Sequence, residues 1–174
     1  MKNVLLITTL ICISSHSFSQ KIVVDKKDEF TKHRIKQTSW EKLYMGSFKF
    51  PGQGYFRITN IDGTVYLDLK MITGSVVAIE KKQEIMFKLA NDSIVSLQNP
   101  EFTVSCSGCG ATGFVGSNAQ GISISCVIDG PIHKQLAAIP IEKIRVYTTK
   151  GYSEYNVGKQ NENVMNALAL FRQE

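Results

Sequence analysis

Two runs of alternating residues meet at Asp62-Gly63, and this junction constrains the fold more than any other feature of the chain. Before it stands Tyr55-Phe56-Arg57-Ile58-Thr59, and after it Thr64-Val65-Tyr66-Leu67-Asp68-Leu69-Lys70-Met71. A period of two sends one set of side chains into a core and the other into water, the signature of a strand with one wet face. Asp-Gly accepts the positive φ that both central residues of a type I′ turn require, so the runs fold back on each other as a hairpin. The turn sets a register in which Phe56 faces Leu69 and Ile58 faces Leu67, while Arg57 meets Asp68 on the other side. A cross-strand ion pair accounts for both charges without a binding role.

The same period recurs downstream. Ile85 to Leu89 and Ile94 to Leu97 form a second strand pair, joined through Ala90-Asn91-Asp92-Ser93, a stretch of turn-forming residues. Phe102 to Cys106 reads as one strand, and Ile122, Ile124, Cys126 and Ile128 as the apolar face of another. Near the end, Ile144 and Val146 alternate with Lys143, Arg145 and Tyr147. A turn at Lys150-Gly151 would set Val146 against Tyr155 and Ile144 against Val157. Trp40, the only tryptophan, is expected on a strand from about Arg34 to Leu43. Helix is sparse: Pro131 to Ile139 makes a short one capped by Asp129. Val164, Met165, Leu168, Ala169 and Phe171 lie on one side of a terminal helix that packs on a sheet. The expected fold class is mainly β: an antiparallel sandwich or partly closed barrel of about eight to ten short strands with a C-terminal helix.

Lys2, the apolar run Val4 to Ile13 and the small residues around Phe18 have the form of a secretory leader. Residues 1–19 are therefore expected to be a signal peptide and 20–174 a single β-rich domain, delivered to a bacterial periplasm or secreted. The apolar run is too short to span a bilayer, so no transmembrane segment is expected once the leader is removed. Of 20 Lys+Arg only Lys2 lies in the leader, which leaves 19 against 15 Asp+Glu. That mild excess is mixed with acids, as in Lys26-Lys27-Asp28-Glu29, and does not form the basic, aromatic-studded stripe of a nucleic-acid binder.

The most distinctive stretch runs from Ser105 to Gly121 and contains Cys106-Ser107-Gly108-Cys109-Gly110. A redox Cys-x-x-Cys needs a thiolate stabilised by a helix N-terminus or a cation, and Gly110-Ala111-Thr112-Gly113 is a poor helix start. A zinc centre needs four ligands, and Cys126, His33 and His133 are not spaced to supply the rest. In an oxidising compartment the favoured reading is a disulfide between Cys106 and Cys109 that pins the start of a flexible loop. A Cys106 to Cys126 bridge is the alternative pairing. Gly108, Gly110 and Gly113 fall at the Gly-x-Gly-x-x-Gly spacing, but no helix is expected after the loop to add its dipole to an anion, the Gly-Lys-Ser/Thr ending is absent, and there is no Gly-x-Ser-x-Gly elbow.

No metal, cofactor or catalytic set is therefore assigned. The leading expectation is an exported, non-enzymatic binding or interaction module whose partner is an envelope protein or a carbohydrate. The candidate functional loop is carried by Gly108, Gly110, Gly113, Gly116 and Asn118. The alternatives are a thiol-disulfide redox protein or other enzyme centred on Cys106 and Cys109, and an envelope assembly subunit. From Trp40 onward the chain resembles small exported bacterial proteins of unassigned activity. The Cys106 to Gly110 segment, Ser117-Asn118-Ala119-Gln120-Gly121, and Ile144 to Tyr152 with the terminal helix carry that resemblance. It implies an exported β-rich domain and brings no activity, ligand or site residue with it.

Overall fold

The computed structural model describes residues 20–47, 50–111 and 118–171, so the expected leader lies outside the described residues. The first five strands are β1 (Ile22–Lys27), β2 (Arg34–Thr38), β3 (Glu41–Ser47), β4 (Phe50–Ile61) and β5 (Thr64–Ile72). Next come β6 (Ala78–Ile79), β7 (Glu84–Leu89), β8 (Ile94–Gln98), β9 (Thr103–Val104), β10 (Cys106–Ser107) and β11 (Gln120–Ile128). Helix α1 (Gly130–Leu136), strands β12 (Ile141–Thr148) and β13 (Gly151–Asn156), and helix α2 (Asn163–Ala169) complete the order.

The Asp62-Gly63 hairpin forms as its sequence dictates. Asp62 and Gly63 have φ of 47° and 89°, and β4 pairs β5 with Phe56 opposite Leu69, Ile58 opposite Leu67 and Arg57 opposite Asp68. Around this hairpin a seven-stranded sheet assembles in the order β1-β2-β4-β5-β11-β10, with β3 also paired to β4. A second, four-stranded sheet runs β13-β12-β7-β8, and β6 pairs β9 as a short two-stranded ribbon. The larger sheet contributes Phe56, Leu67, Leu69, Ile124 and Cys126 to one buried cluster, and the smaller contributes Ile85, Phe87, Leu97, Ile144 and Val146. Two antiparallel sheets packed over a shared core make a sandwich, and the strand order does not close into a barrel. Each fully buried aliphatic side chain contributes roughly 1.5–3 kcal/mol of transfer free energy, which makes this seam the dominant stabilising term. Helix α2 closes one side, burying Val164, Ala167 and Leu168. Helix α1 begins where Asp129 Oδ1 accepts from the Ile132 amide at 2.8 Å, with Pro131 harmlessly in its first turn.

Four local readings change. The run from Arg34 to Leu43 is not one strand: β2 stops at Thr38, β3 starts at Glu41, and Trp40 occupies the break. Phe102 to Cys106 divides between β9, which pairs β6, and β10, which pairs β11, because Ser105 turns its amide to the Val77 carbonyl at 2.9 Å. In the last hairpin Val146 faces Ser153 and Ile144 faces Tyr155, two residues away from the expected register. Gly151 has φ of 98° while Thr149 and Lys150 do not enter the left-handed region. This is the pattern of a type I turn followed by a glycine bulge, which shifts the loop one residue earlier than a turn centred on Lys150-Gly151. Finally α1 ends at Leu136, with Ala137 as its C-cap, short of Ile139.

Candidate functional site

The wet face of the seven-stranded sheet is built by the same alternation that builds the core. Cross-strand register sets Gln37, Thr59 and Tyr66 in one row, Arg57, Asp68 and Ser125 in the next, and Lys70 with Ser123 in a third. Arg57 Nε donates to Asp68 Oδ2 at 2.7 Å. The Thr59 hydroxyl donates to the same oxygen at 2.7 Å, and the Ser125 hydroxyl to Asp68 Oδ1 at 2.5 Å. The expected ion pair is thus present, and it sits inside a three-donor network that holds the carboxylate almost fully buried. A charge removed from water is tolerated only with partners of this kind.

Trp40 reaches this face because β2 and β3 both pair with β4 and leave a gap between them. At the gap the Ile58 amide donates to the Thr38 hydroxyl at 2.9 Å, which replaces the missing ladder partner. The indole then lies across Arg57 and Lys70, whose cationic atoms stand 4.7 Å from the ring centroid. Both cations rise from the wet face, so the ring spans two strands. Around them a concave surface of about 600 Å³ opens to solvent, lined by Trp40, Arg57, Thr59, Tyr66, Lys70 and Glu101 among others.

The cysteine loop borders this surface. Cys106 and Cys109 are joined by a disulfide with Cα atoms 5.3 Å apart. Gly108, with φ of 83°, makes the turn between them, and its amide donates to the Ala119 carbonyl at 3.0 Å. Gly110 packs directly on the backbone of Gly121, where a side chain on Gly121 would overlap the Gly110 main chain. Lys70 Nζ donates to the Ala111 carbonyl at 2.5 Å, tying the loop to the sheet face. Asn118 is exposed beyond the loop, and its carbonyl accepts from the Ser107 hydroxyl at 3.4 Å. Gly113 and Gly116 lie outside the described residues.

The electrostatics separate this face from its counterpart on the smaller sheet. There Lys88 pairs with Asp92 at 2.6 Å, while Lys143 and Arg145 share Glu154. Each of these cations has a carboxylate within ion-pair distance. Lys70, by contrast, has no carboxylate partner among the described residues; burial, and then Arg57, hold its ammonium pKa below the ordinary lysine value.

Cys126 and His33 do not join this face. Cys126 is a buried free thiol, pushed up to about 12 by burial with Asp68 adding to the shift. Gly110 lies in a turn and Ala111 in no regular element, so among the described residues no helix starts at Cys109 to stabilise a thiolate. His33 Nδ1 contacts the Asp62 carboxylate at an exposed corner, where Asp62 Oδ1 also accepts from the Arg34 amide at 2.8 Å. No group of three His, Cys, Asp or Glu side chains suited to a metal occurs among the described residues.

Sequence reasoning found the loop and the Arg57–Asp68 pair and missed Trp40 as their neighbour. The available signal was the polar phase itself, since Arg57, Asp68, Lys70, Ser123 and Ser125 all fall on it. No family model matches the chain, and comparison with curated proteins and with solved structures finds no match either.

Proposed function

We propose that the protein is an exported, non-enzymatic binding module that holds an acidic polysaccharide on the wet face of its larger sheet. The observation that carries this reading is Trp40 lying across two cations, one of which, Lys70, has no carboxylate partner among the described residues. The Lys70 ammonium, without a carboxylate of its own among the described residues, favours a carboxylate-bearing ligand, and the guanidinium nitrogens of Arg57 not used by Asp68 can add a hydrogen bond. Hydroxyls of Tyr66, Ser123 and Ser125 suit a polyol, which offers both donors and acceptors. The indole supplies the flat apolar surface on which the C–H face of a sugar ring can rest. The surface is open along the sheet, which favours a chain laid across it over a small molecule enclosed within it.

A non-catalytic role is supported by the state of Asp68. Three donors already occupy its oxygens, so it is poorly placed to act as a nucleophile or to take a proton. The leader pattern in residues 1–19 and the Cys106–Cys109 disulfide support action outside the cytoplasm. The test is binding of the purified protein to immobilised polygalacturonate and to dextran. Retention on the uronate polymer only, lost in Lys70→Met, supports the reading; equal retention on both, or on neither, rejects it.

A further inference from the structure

At the end of the sandwich near the β12–β13 turn, the two sheets part around a pocket of about 230 Å³. Its floor is the buried set Met71, Val77, Ile79, Ile122 and Val146, drawn from both sheets and the ribbon between them. Lys150, Ser75 and Tyr155 stand at the rim. Lys150 Nζ donates to the Ser75 hydroxyl at 3.0 Å across the mouth, and no carboxylate pairs with it among the described residues.

The walls are fixed in place. The Thr149 amide donates to the Ala78 carbonyl at 2.9 Å and its hydroxyl accepts from the Ala78 amide at 3.1 Å. The Ser105 amide and hydroxyl bracket Val77, bonding its carbonyl and its amide, each at 2.9 Å. Tyr155 is held by its stack on Tyr44, centroids 4.2 Å apart and planes 14° from parallel. A pre-formed apolar cleft with a few convergent polar groups is the usual form of a small-ligand site.

We propose that this pocket binds a short-chain aliphatic carboxylate, its hydrocarbon tail on the five-residue floor and its carboxylate on Lys150 and the Ser75 hydroxyl. This is a second site, independent of the polysaccharide reading. The pocket volume of about 230 Å³, at roughly 30 Å³ for each water-sized group, holds a chain of about eight heavy atoms, the size of hexanoate. A buried floor rewards length, and a lone ammonium over it rewards a negative head.

Calorimetric titration of the full chain with butanoate, hexanoate and hexan-1-ol tests this directly, alongside the Lys150→Met protein. Each methylene laid on the floor should raise affinity about fourfold, so hexanoate should bind roughly fifteenfold more tightly than butanoate. Hexan-1-ol, and hexanoate with Lys150→Met, should bind at least about tenfold more weakly than hexanoate with the unaltered protein. Lys150 is exposed and lies in a turn, so its replacement leaves the fold intact. Hexanoate binding that is undetectable, no stronger than that of butanoate, or unchanged by Lys150→Met would overturn the proposal. Trp40→Ala should leave hexanoate binding untouched, and Lys150→Met should leave polygalacturonate binding untouched, so either site can fail without the other.

Discussion

Gly54 lies beneath the ring of Tyr44, so close that a methyl group on its Cα would overlap the aromatic carbons. Tyr44 is fully buried at the join of β3 and β4 and stacks on Tyr155 of the opposite sheet. Glycine at position 54 therefore decides whether the two sheets can close at this point. Gly54→Ala should lower stability by about 1–3 kcal/mol or more, because the ring has no free space to move into. Thermal unfolding measures this, and an unchanged midpoint would show that the ring can be displaced.

The Tyr44 hydroxyl is buried and has no hydrogen-bond partner among the described residues. Burial, and then the nearby Tyr155, push its phenol pKa well above the ordinary value. Removing an unsatisfied buried polar group relieves a desolvation penalty, so Tyr44→Phe should leave stability unchanged or raise it by up to about 1 kcal/mol. Denaturant titration would expose a hidden partner if the variant instead lost more than that.

Asp68 ties Arg57, Thr59 and Ser125 together across three strands. Asp68→Ala leaves a half-buried guanidinium without its anion and should cost about 3 kcal/mol. The double replacement Arg57→Met with Asp68→Leu removes both charges and should recover much of that loss. If the double variant is less stable than Asp68→Ala, the network is held by packing and not by charge.

Thiol chemistry should follow burial. Native, unreduced protein should take up no iodoacetamide at Cys106, Cys109 or Cys126: the first two are bonded to each other, and the third is a buried neutral thiol. In the chain from residue 20 onward, which lacks Cys12, mild reduction should open two sites and denaturation with reductant the third, counted by mass spectrometry. Labelling of Cys126 in the folded protein would contradict its burial.

The same cysteine sets an alkaline limit. Cys126 has an ordinary value of 9.0 and is raised to about 12 in the fold. Between those values the unfolded chain loses a proton that the native chain keeps, so unfolding binds fewer protons and stability falls as pH rises. The slope from this one group is at most about 1.4 kcal/mol per pH unit. Cys126→Ala should flatten the stability profile between pH 9 and 12 relative to the unaltered protein; an identical slope would remove Cys126 as the cause.

Much of the sandwich is legible in the chain because the period of two survives wherever one face is wet. The β4–β5 register needed only Asp62-Gly63 and the alternation on either side. β1, exposed almost throughout, carries no such contrast between faces and could not be read. Trp40 escaped for a different reason: strand propensity continues through Gln37 to Leu43, and the break depends on which part of β4 each segment pairs. The misplaced β12–β13 register turned on the conformation of Gly151, since alternation is the same after a shift of two. The loop was recognisable from its cysteines, whereas its docking on Lys70 depends on a contact between residues 41 positions apart.

Trp40 is the only tryptophan, so its emission reports on the sheet face alone. Titration with oligogalacturonate at low ionic strength should shift or quench that emission saturably, and dextran oligosaccharides of the same length should not. The response should weaken as salt screens the cations and vanish in Lys70→Met. An emission spectrum indifferent to the uronate chain, or one that answers equally to the neutral chain, would contradict the assignment of this face as the binding surface.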